Sequence, residues 1–468
     1  MIDFANIERY RENNRIEAKK ALGGLPHSIW ETYSAFANTL GGVILLGVEE
    51  YRDKSLHPVD LPDPERLVRE FWEIAGDAKR VSVNVLTREH VRIENADGCR
   101  IIAITVPRAQ RTDKPVYVEG NPFTGTYRRS GEGDYRCTRE EVEGMQRDAA
   151  VRTQDMRLLD TRGLDALVPE SIARYRLRLE RLRPELFRDA ETDAALLCRL
   201  GAAGVGADGA PHPTAAGLLM FGKGSEIVRE FPGFLLDYQE RPDGSARCTA
   251  RIVSSSGLWS GNVFDFFCAV SDRIAPDGAA QDVPVCEALR EALVNALIHA
   301  DYRSRQGVTV VRGGDRIVLS NPGALRIAVE TAQSGGVSDP RNAALARMFN
   351  YINVGEGEGC GIPNLYALWK ERGWEPPVIG ESFSPDRITL LLSMRPAGCG
   401  KRQGNHAALD EIRKAAVIDY LTDCVTAGAS GIAGLLGIGD AEAEALLGEM
   451  AASGTVEAAA DGAYRLKA

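Results

Sequence analysis

Apolar and polar positions recur with different periods along the chain, and the periods divide it into four segments with no internal repeat. In the first segment, residues 1–150, Ile16-Glu17-Ala18-Lys19 alternates with period two and predicts a short strand. Pro26 then opens a helix whose Ile29, Tyr33, Phe36 and Leu40 form one apolar stripe, and Gly41-Gly42 stops it. Residues 43–48 are a continuous apolar run that reads as a buried strand, and further strands are predicted at 80–86, 100–106 and 127–129. The segment reads as a mixed α/β domain.

The second segment, 151–280, is a connector. It predicts helices at 169–182 and 192–200, then strands at 234–238 and 250–253. The third, 281–396, alternates a helix at 284–300, a hairpin of strands 308–312 and 316–320, a second helix, a glycine loop, a helix at 362–372 and a strand. Residues 396–405 are a Gly-rich, basic linker. The last segment, 405–468, predicts helices at 408–426, 430–436 and 440–453 and a β-wing across 455–466, the order of a winged helix-turn-helix. The fold class is α+β and multidomain.

Composition narrows the setting. At 468 residues, and roughly 100–200 residues per domain, the chain has room for several domains. Its 44% apolar and 26% charged residues are those of a soluble globular protein. No apolar run approaches the roughly 20 residues that cross a bilayer, and the polar start has no signal-peptide character, so no membrane partner is expected. Nine cysteines without a C-x-x-C pair argue against a disulfide framework or a zinc site and place the chain in a reducing cytoplasm. The Ala-, Arg- and Gly-rich usage points to a GC-rich bacterial gene. A net charge of −10 excludes a uniformly basic coat but leaves room for a local basic groove.

The helix at 284–300 carries Glu291, Asn295 and His299 at i, i+4 and i+8, hence on one face. A carboxylate can polarise an attacking water, and an amide oxygen one turn away suits Mg²⁺ bridging phosphates. A solvated helix face carrying polar groups reads the same way. The second hairpin strand ends in Ser320-Asn321-Pro322-Gly323, where a turn would offer the Asn321 amide to a nucleobase edge and let the backbone approach closely at Gly323. Gly355, Gly357, Gly359 and Gly361 then alternate before a helix start, whose N–H groups and dipole suit phosphates, although a flexible linker shares that composition. No Lys-Ser/Thr follows, so this is not a P-loop.

Taken together, Arg290-Glu291-Ala-Leu-Val-Asn295-Ala-Leu-Ile-His299, the 320–323 turn, Arg341-Asn342 and the glycine loop resemble the GHKL ATPases. The order is closest to the branch described as RecG-like helicase C-terminal or ATP-binding transcriptional regulator. The resemblance implies a Bergerat-type α/β sandwich with ATP and Mg²⁺ as cofactors. It makes Glu291 the catalytic base and Asn295 the Mg²⁺ ligand. His299, Asn321, Gly323, Gly355, Gly357, Gly359 and Gly361 would complete the nucleotide site under a lid at 324–354. Asn321 stands where that superfamily usually has Asp against the adenine amino group. Nothing resembles a helicase motor.

In the first segment, residues 12–19, the block Ala35-Phe-Ala-Asn38-Thr-Leu-Gly-Gly42 with its following strand, and Tyr127-Arg128-Arg129-Ser130-Gly131 closely resemble the Schlafen AlbA-type domain. That resemblance implies nucleic-acid binding, with DNA placed ahead of RNA. Lys19, Lys20, Arg128 and Arg129 are the candidates for phosphates. Asn38 either contacts a backbone or pins the helix end. In Schlafen nucleases an acidic trio binds a divalent metal, and Glu12 and Glu17 keep the spacing of its first two members, with Glu50 or Glu49 near the third. Glu17 paired with Lys19 or an arginine is the plainer alternative.

The 440–453 helix carries Asp440, Glu442, Glu444 and Glu449 and no Lys or Arg, and residues 405–468 hold four basic against ten acidic residues. Phosphates are repelled at that helix unless Arg465 and Lys467 of the wing dominate, so the winged helix is expected to contact a protein partner or a second copy in a homo-oligomer. The functional expectation is an ATP-binding, ATP-hydrolysing regulator in which nucleotide state controls engagement of DNA or RNA. The alternative is an ATP-gated, metal-dependent Schlafen-like endonuclease acting on RNA or single-stranded DNA in defence or stress.

Overall fold

The computed structural model describes residues 2–466 apart from positions 3, 11, 14, 131–132, 186–191, 242–247, 276–279, 356–358, 384, 398–409, 411–412, 415–416, 418–420, 422–426, 437–439, 453–454 and 460–462. The chain divides into two compact units, the first Met1–Val151 and the second formed in the main by Arg152–Leu436 and Asp440–Ala468.

In the first unit, β1 (Ile16–Lys19), α1 (Ile29–Asn38), β2 (Gly42–Leu46), β3 (Val48–Glu50), β4 (Leu56–Pro58), α2 (Pro64–Ala75), β5 (Val91–Ala96) and β6 (Cys99–Val106) precede α3 (Pro122–Gly125), β7 (Tyr127–Ser130), β8 (Gly133–Arg136) and α4 (Arg139–Ala149). The order β1-β2-β6-β5 forms one sheet, with β1 parallel to β2 and the other pairs antiparallel. Ile44, Leu46, Ile102 and Ile104 face α1 and α2, where Trp30 stacks on Phe71 at 5.0 Å. Leu45, Ile101 and Ala103 face a second apolar cluster with Ile7 and Leu56. Both sheet faces are covered, which is why the predicted strand at 43–48 is apolar without alternation. The glycine pair after α1 has two separate tasks. Gly41 adopts φ +73 and its N–H closes on the Phe36 carbonyl at 2.9 Å, while a Cβ on Gly42 would stand 2.8 Å from the Phe36 ring and from the Arg15 carbonyl.

The strand predicted at 80–86 does not form. Val81 makes only an isolated bridge to Val118, and the Tyr33 hydroxyl donates to the Val83 carbonyl at 3.1 Å and accepts from the Val85 N–H at 2.8 Å. A side chain supplies what a neighbouring strand would have supplied.

The second unit runs α5 (Pro169–Leu182), α6 (Asp193–Leu200), β9 (Ala203–Val205), β10 (Pro211–Pro213), α7 (Ala215–Phe221), α8 (Gly224–Glu230), β11 (Leu236–Glu240), β12 (Ala250–Val253), α9 (Val263–Ser271) and α10 (Val283–His299). It continues with β13 (Val308–Arg312), β14 (Arg316–Pro322), α11 (Val329–Ser334), α12 (Ala343–Tyr351), α13 (Gly361–Glu371), β15 (Val378–Phe383) and β16 (Asp386–Ser393). Six strands form one sheet in the order β12-β11-β13-β14-β16-β15. β11 lies parallel to β13, with Tyr238 opposite Val310, so strand pairing crosses the boundary expected between residues 280 and 281. One core crosses it too, joining Leu197, Phe221 and Phe267 to Leu293, Phe349 and Trp369.

Ser320-Asn321-Pro322 is a correction to the predicted turn. These residues prolong β14 and pair with Thr389, Ile388 and Arg387, because the eight-residue β16 offers a ladder long enough to hold them. The turn starts only at Gly323, with φ +106. In the C-terminal segment the described residues form helices Ala429–Leu436 and Asp440–Ala452 and a hairpin of Val456–Ala458 with Tyr464–Leu466. Of the helix predicted at 408–426, fourteen of nineteen residues lie outside the described residues. Among the described residues no helix is long and apolar enough to cross a membrane.

Candidate functional site

The ends of α10 are held by side chains from elsewhere in the second unit. At its start the Asp282 carboxylate accepts from the Val285 N–H at 3.3 Å and from Arg372 Nε and Nη2 at 2.9 and 3.0 Å. At its end Asn342 Nδ2 donates to the carbonyls of Ile298 at 3.1 Å and Ala300 at 2.8 Å, and Arg341 Nε donates to that of His299 at 3.0 Å. These bonds satisfy carbonyls that a helix terminus leaves open. The Arg341-Asn342 pair thus positions the site helix.

Between those anchors α10 buries Leu289, Leu293, Leu297 and their neighbours, while Glu291, Asn295 and His299 stay half-buried on one stripe, as the periodicity predicts. Among the described residues neither Asn295 nor His299 makes a side-chain hydrogen bond. Burial, helped by the nearby Arg326 and opposed by Asp339, holds the His299 imidazole down to about 4, so it is neutral at physiological pH. Asn321 is buried on β14, where Nδ2 donates to the Pro322 carbonyl at 3.4 Å. Its Oδ1 accepts nothing among the described residues. The ends of β14 and α10 meet here, the Asp301 N–H donating to the Pro322 carbonyl at 2.9 Å.

Gly355, Gly359 and Gly361 fit closely against this helix and against residues 324–354. A Cβ on Gly361, the first residue of α13, would lie 2.5 Å from Glu291 Oε1, and one on Gly355 would lie 4.0 Å from Oε2. Gly359, at φ +72, admits the Val337 carbonyl to 2.5 Å of where its Cβ would be. Gly323 makes the same kind of room for the Arg341 guanidinium, at 2.7 Å. Gln333 Nε2 ties α11 of the lid segment to α13 by donating to the Tyr366 hydroxyl at 2.8 Å. Gly357 lies outside the described residues. The described geometry thus gathers a carboxylate, an amide, a neutral imidazole and a glycine-lined helix start along one edge of α10. Such a set suits an anionic ligand carrying a polar ring.

A cavity of 1120 Å³ opens beside this edge, lined by Glu291, Gly355 and Gly361 and, from α5, by Arg174, Arg178 and Arg181. The sequence reading did not single out these arginines. Their signal was the spacing i, i+4, i+7 along one face of a predicted helix.

The first-unit candidates are placed differently. Arg129 is buried, its Nη2 donating to Glu17 Oε2 at 2.7 Å and its Nη1 to Asp134 at 3.0 Å, while Lys19 Nζ holds Glu17 Oε1 at 2.5 Å. Glu17 is therefore paired with both Lys19 and an arginine, the plainer of its two readings. Arg128 is also buried and reaches Glu141 at 3.4 Å. Lys20 is half-exposed and meets Glu49 at 2.9 Å, and Glu50 meets Lys54 at 3.3 Å. Asn38 lies in the core, Nδ2 donating to the carbonyls of Val116 at 2.7 Å and Tyr127 at 3.1 Å and Oδ1 accepting from the Val116 N–H at 2.9 Å. It pins α1 to the 116–127 segment. Glu12 Oε1 accepts from the Ala18 N–H at 2.9 Å. Burial, with Glu17 and Glu50 nearby, pushes the Glu12 carboxyl above its ordinary range. Among the described residues no group of three or more His, Cys, Asp or Glu is placed to hold a metal ion.

Comparison with known proteins matches three stretches of the chain. Residues 12–138 match the family "Schlafen, AlbA_2", residues 306–390 match "Putative ATP-dependent DNA helicase recG C-terminal", and residues 143–237 match a domain of unknown function, DUF8451. The RecG-type match contains Asn321, Gly323 and the glycine loop and begins after α10. No curated protein matches the chain. Among solved structures, the N-terminal domain of a RecG-related protein from Nitrosomonas europaea is 32% identical, over 30% of this chain and 95% of that one, with a TM-score of 0.24. The DIP2311 protein from Corynebacterium diphtheriae is 20% identical, over 97% of this chain and 79% of that one, with a TM-score of 0.41. The chain thus joins a region similar to Schlafen AlbA_2 domains to a region similar to RecG C-terminal domains. In particular, it carries an N-terminal Schlafen AlbA_2 domain, a DUF8451 middle domain and a RecG C-terminal-type domain.

Proposed function

We propose that this chain binds and hydrolyses ATP in the second unit and that nucleotide state controls how the AlbA_2 domain engages DNA or RNA, in the manner of a transcriptional regulator. The observation that carries the reading is a set of polar groups without a hydrogen-bond partner among the described residues, Asn295, His299 and the Asn321 oxygen, together with Gly355 and Gly361 beside Glu291 of α10. The Asn321 oxygen is an acceptor suited to the adenine amino group, and Gly355, Gly359 and Gly361 bring no side chain between backbone N–H groups and phosphates. Asn295 is the residue that would hold Mg²⁺, an ion that prefers oxygen ligands and neutralises phosphate charge when bound. Glu291, against the start of α13, would orient and polarise the attacking water. Nucleotide titration and turnover by the wild type and Glu291→Ala test this. Binding retained with hydrolysis lost is expected, whereas unchanged turnover would overturn the role of Glu291.

For the first unit, ATP-dependent changes in DNA and RNA affinity, measured at two salt concentrations, test the regulatory link. A steep loss with salt is expected for phosphate contacts. Salt-independent or absent binding counts against it. The acidic C-terminal segment is proposed as a surface for a protein partner or a second copy, since its charge opposes phosphates.

A metal-dependent endonuclease is the second reading. It is favoured by the Glu12 carboxyl, which burial first, and the neighbouring Glu17 and Glu50 next, push above its ordinary range. It ranks second because Lys19 and Arg129 already hold both Glu17 oxygens. Comparing the wild type with Glu12→Ala/Glu17→Ala on tRNA and single-stranded DNA with Mn²⁺ decides it. Equal absence of cleavage disposes of the idea.

A further inference from the structure

We infer that Arg178 and Arg181, on α5 of the middle domain, receive the terminal phosphate of the nucleotide and so distinguish a triphosphate from a diphosphate. The inference rests on the ATP-binding reading above and assigns a role to a domain of unknown function.

The first argument is direction. Asn321 and His299 sit where β14 and α10 end together, whereas Glu291, with Gly361 of α13 against it, lies eight residues back along α10 from His299. At about 1.5 Å per residue that is roughly 12 Å toward the start of the helix. A nucleotide with its base at Asn321 therefore points its phosphates toward Glu291, which lines the 1120 Å³ cavity together with Arg174, Arg178 and Arg181 of α5.

The second argument is the chemistry of that wall. Arg174, Arg178 and Arg181 share one face of α5. Arg174 is already engaged, its Nη1 donating to Asp265 at 3.0 Å. Among the described residues Arg178 and Arg181 donate no hydrogen bond, and Arg178 is held over the Phe267 ring at 5.6 Å. A guanidinium laid on a ring keeps its edge N–H groups outward, in the fork geometry that matches phosphate oxygens. The same cavity is lined by the apolar Phe264, Val354 and Leu365 and by the carboxylates of Asp272 and Glu287.

The third argument is mechanical. Tyr175, fully buried, donates its hydroxyl to the Met348 carbonyl at 2.7 Å, and Arg183 Nη2 donates to Asn353 Oδ1 at 2.9 Å. These bonds fasten α5 at two points to the stretch of chain that enters the glycine loop. A terminal phosphate gripped by both would report its presence to the middle domain.

The test is the affinity of full-length wild type, Arg178→Ala/Arg181→Ala and Arg178→Lys/Arg181→Lys for ADP and for a non-hydrolysable ATP analogue, with thermal melting to confirm folding. The alanine pair should lose about tenfold or more in affinity for the ATP analogue, a single factor of ten corresponding to about 1.4 kcal/mol, and less than about twofold for ADP. The lysine pair, which keeps charge but loses the fork, should fall between. A wild type that binds both nucleotides while the alanine pair loses both equally, or neither, overturns this inference and leaves the ATP reading standing. A wild type that binds neither overturns both.

Discussion

The Glu291 carboxylate occupies the space that a side chain on Gly361 would need: Oε1 is 2.5 Å from where that Cβ would be. The start of α13 and the acidic residue of α10 are thereby fitted to each other. Gly→Ala within a helix normally stabilises by about 1 kcal/mol. Here the contact reverses the sign, and Gly361→Ala should destabilise by about 1–3 kcal/mol as overpacking does. It should also weaken nucleotide binding about tenfold or more. Denaturant unfolding and nucleotide titration check both, and a stabilised variant with full affinity would mean the loop has room to spare.

His299 gives the second unit a pH dependence. Its folded value, near 4, is depressed below the ordinary 6.5, so between those values the unfolded chain binds a proton that the folded chain does not. The stability it contributes is present above about 6.5 and is lost as pH falls toward about 4. Urea unfolding between pH 7 and 4.5 should show that loss in the wild type and a smaller one in His299→Gln. Identical profiles would show that the imidazole is not shielded.

Asn38 should behave as a core residue. Asn38→Ala strands the Val116 N–H and the carbonyls it served, and each stranded buried group costs about 1–3 kcal/mol. A loss of roughly 3 kcal/mol or more is expected, with nucleic-acid affinity per folded molecule unchanged. A stable variant that fails to bind would instead put Asn38 at the binding surface.

The Glu17–Arg129 pair should show strong coupling. Arg129→Met leaves a buried carboxylate facing only Lys19 and should cost about 3–5 kcal/mol. Adding Glu17→Gln should recover part of that, so the double variant costs less than the sum of the singles. Strict additivity in unfolding measurements would rule out a direct pair.

Of the four basic candidates in the first unit, Lys20 is the most exposed, at 50% of its side chain, against 1% for Arg129. Lys20→Ala should therefore weaken binding similarly across sequences and lower the salt slope by about 1 if Lys20 meets a phosphate. An unchanged slope would move the interface elsewhere.

The parts legible in the sequence were those fixed by local periodicity. The stripe Glu291-Asn295-His299 follows from helix geometry once its neighbours are apolar, and strand 308–312 from its alternation and the following Gly313-Gly314. β5 went unread although Asp97-Gly98, both at positive φ, join it to β6, because its own burial alternates poorly. The Asn-Pro-Gly turn signal was overridden by β16, a partner more than sixty residues away in the chain, as the 69-residue separation of Ser320 and Thr389 illustrates. Arg129 and Asn38 look like surface residues in the sequence because the groups that bury them lie far off, Glu17 at 112 residues and Val116 at 78. The arginines of α5 gained meaning only when the fold set them beside the glycine loop.

The parallel pairing of Leu236–Glu240 with Val308–Arg312 bears on where such a chain can be divided. A gene piece beginning at residue 281 would encode the whole RecG-type match and α10, yet leave β13 with a bare hydrogen-bonding edge and the core without Phe264 and Phe267. An uncovered edge of that kind recruits other chains into aggregates. The strand pairing and the shared core therefore make residues 236–393 one folding unit, whatever family boundaries are drawn within it.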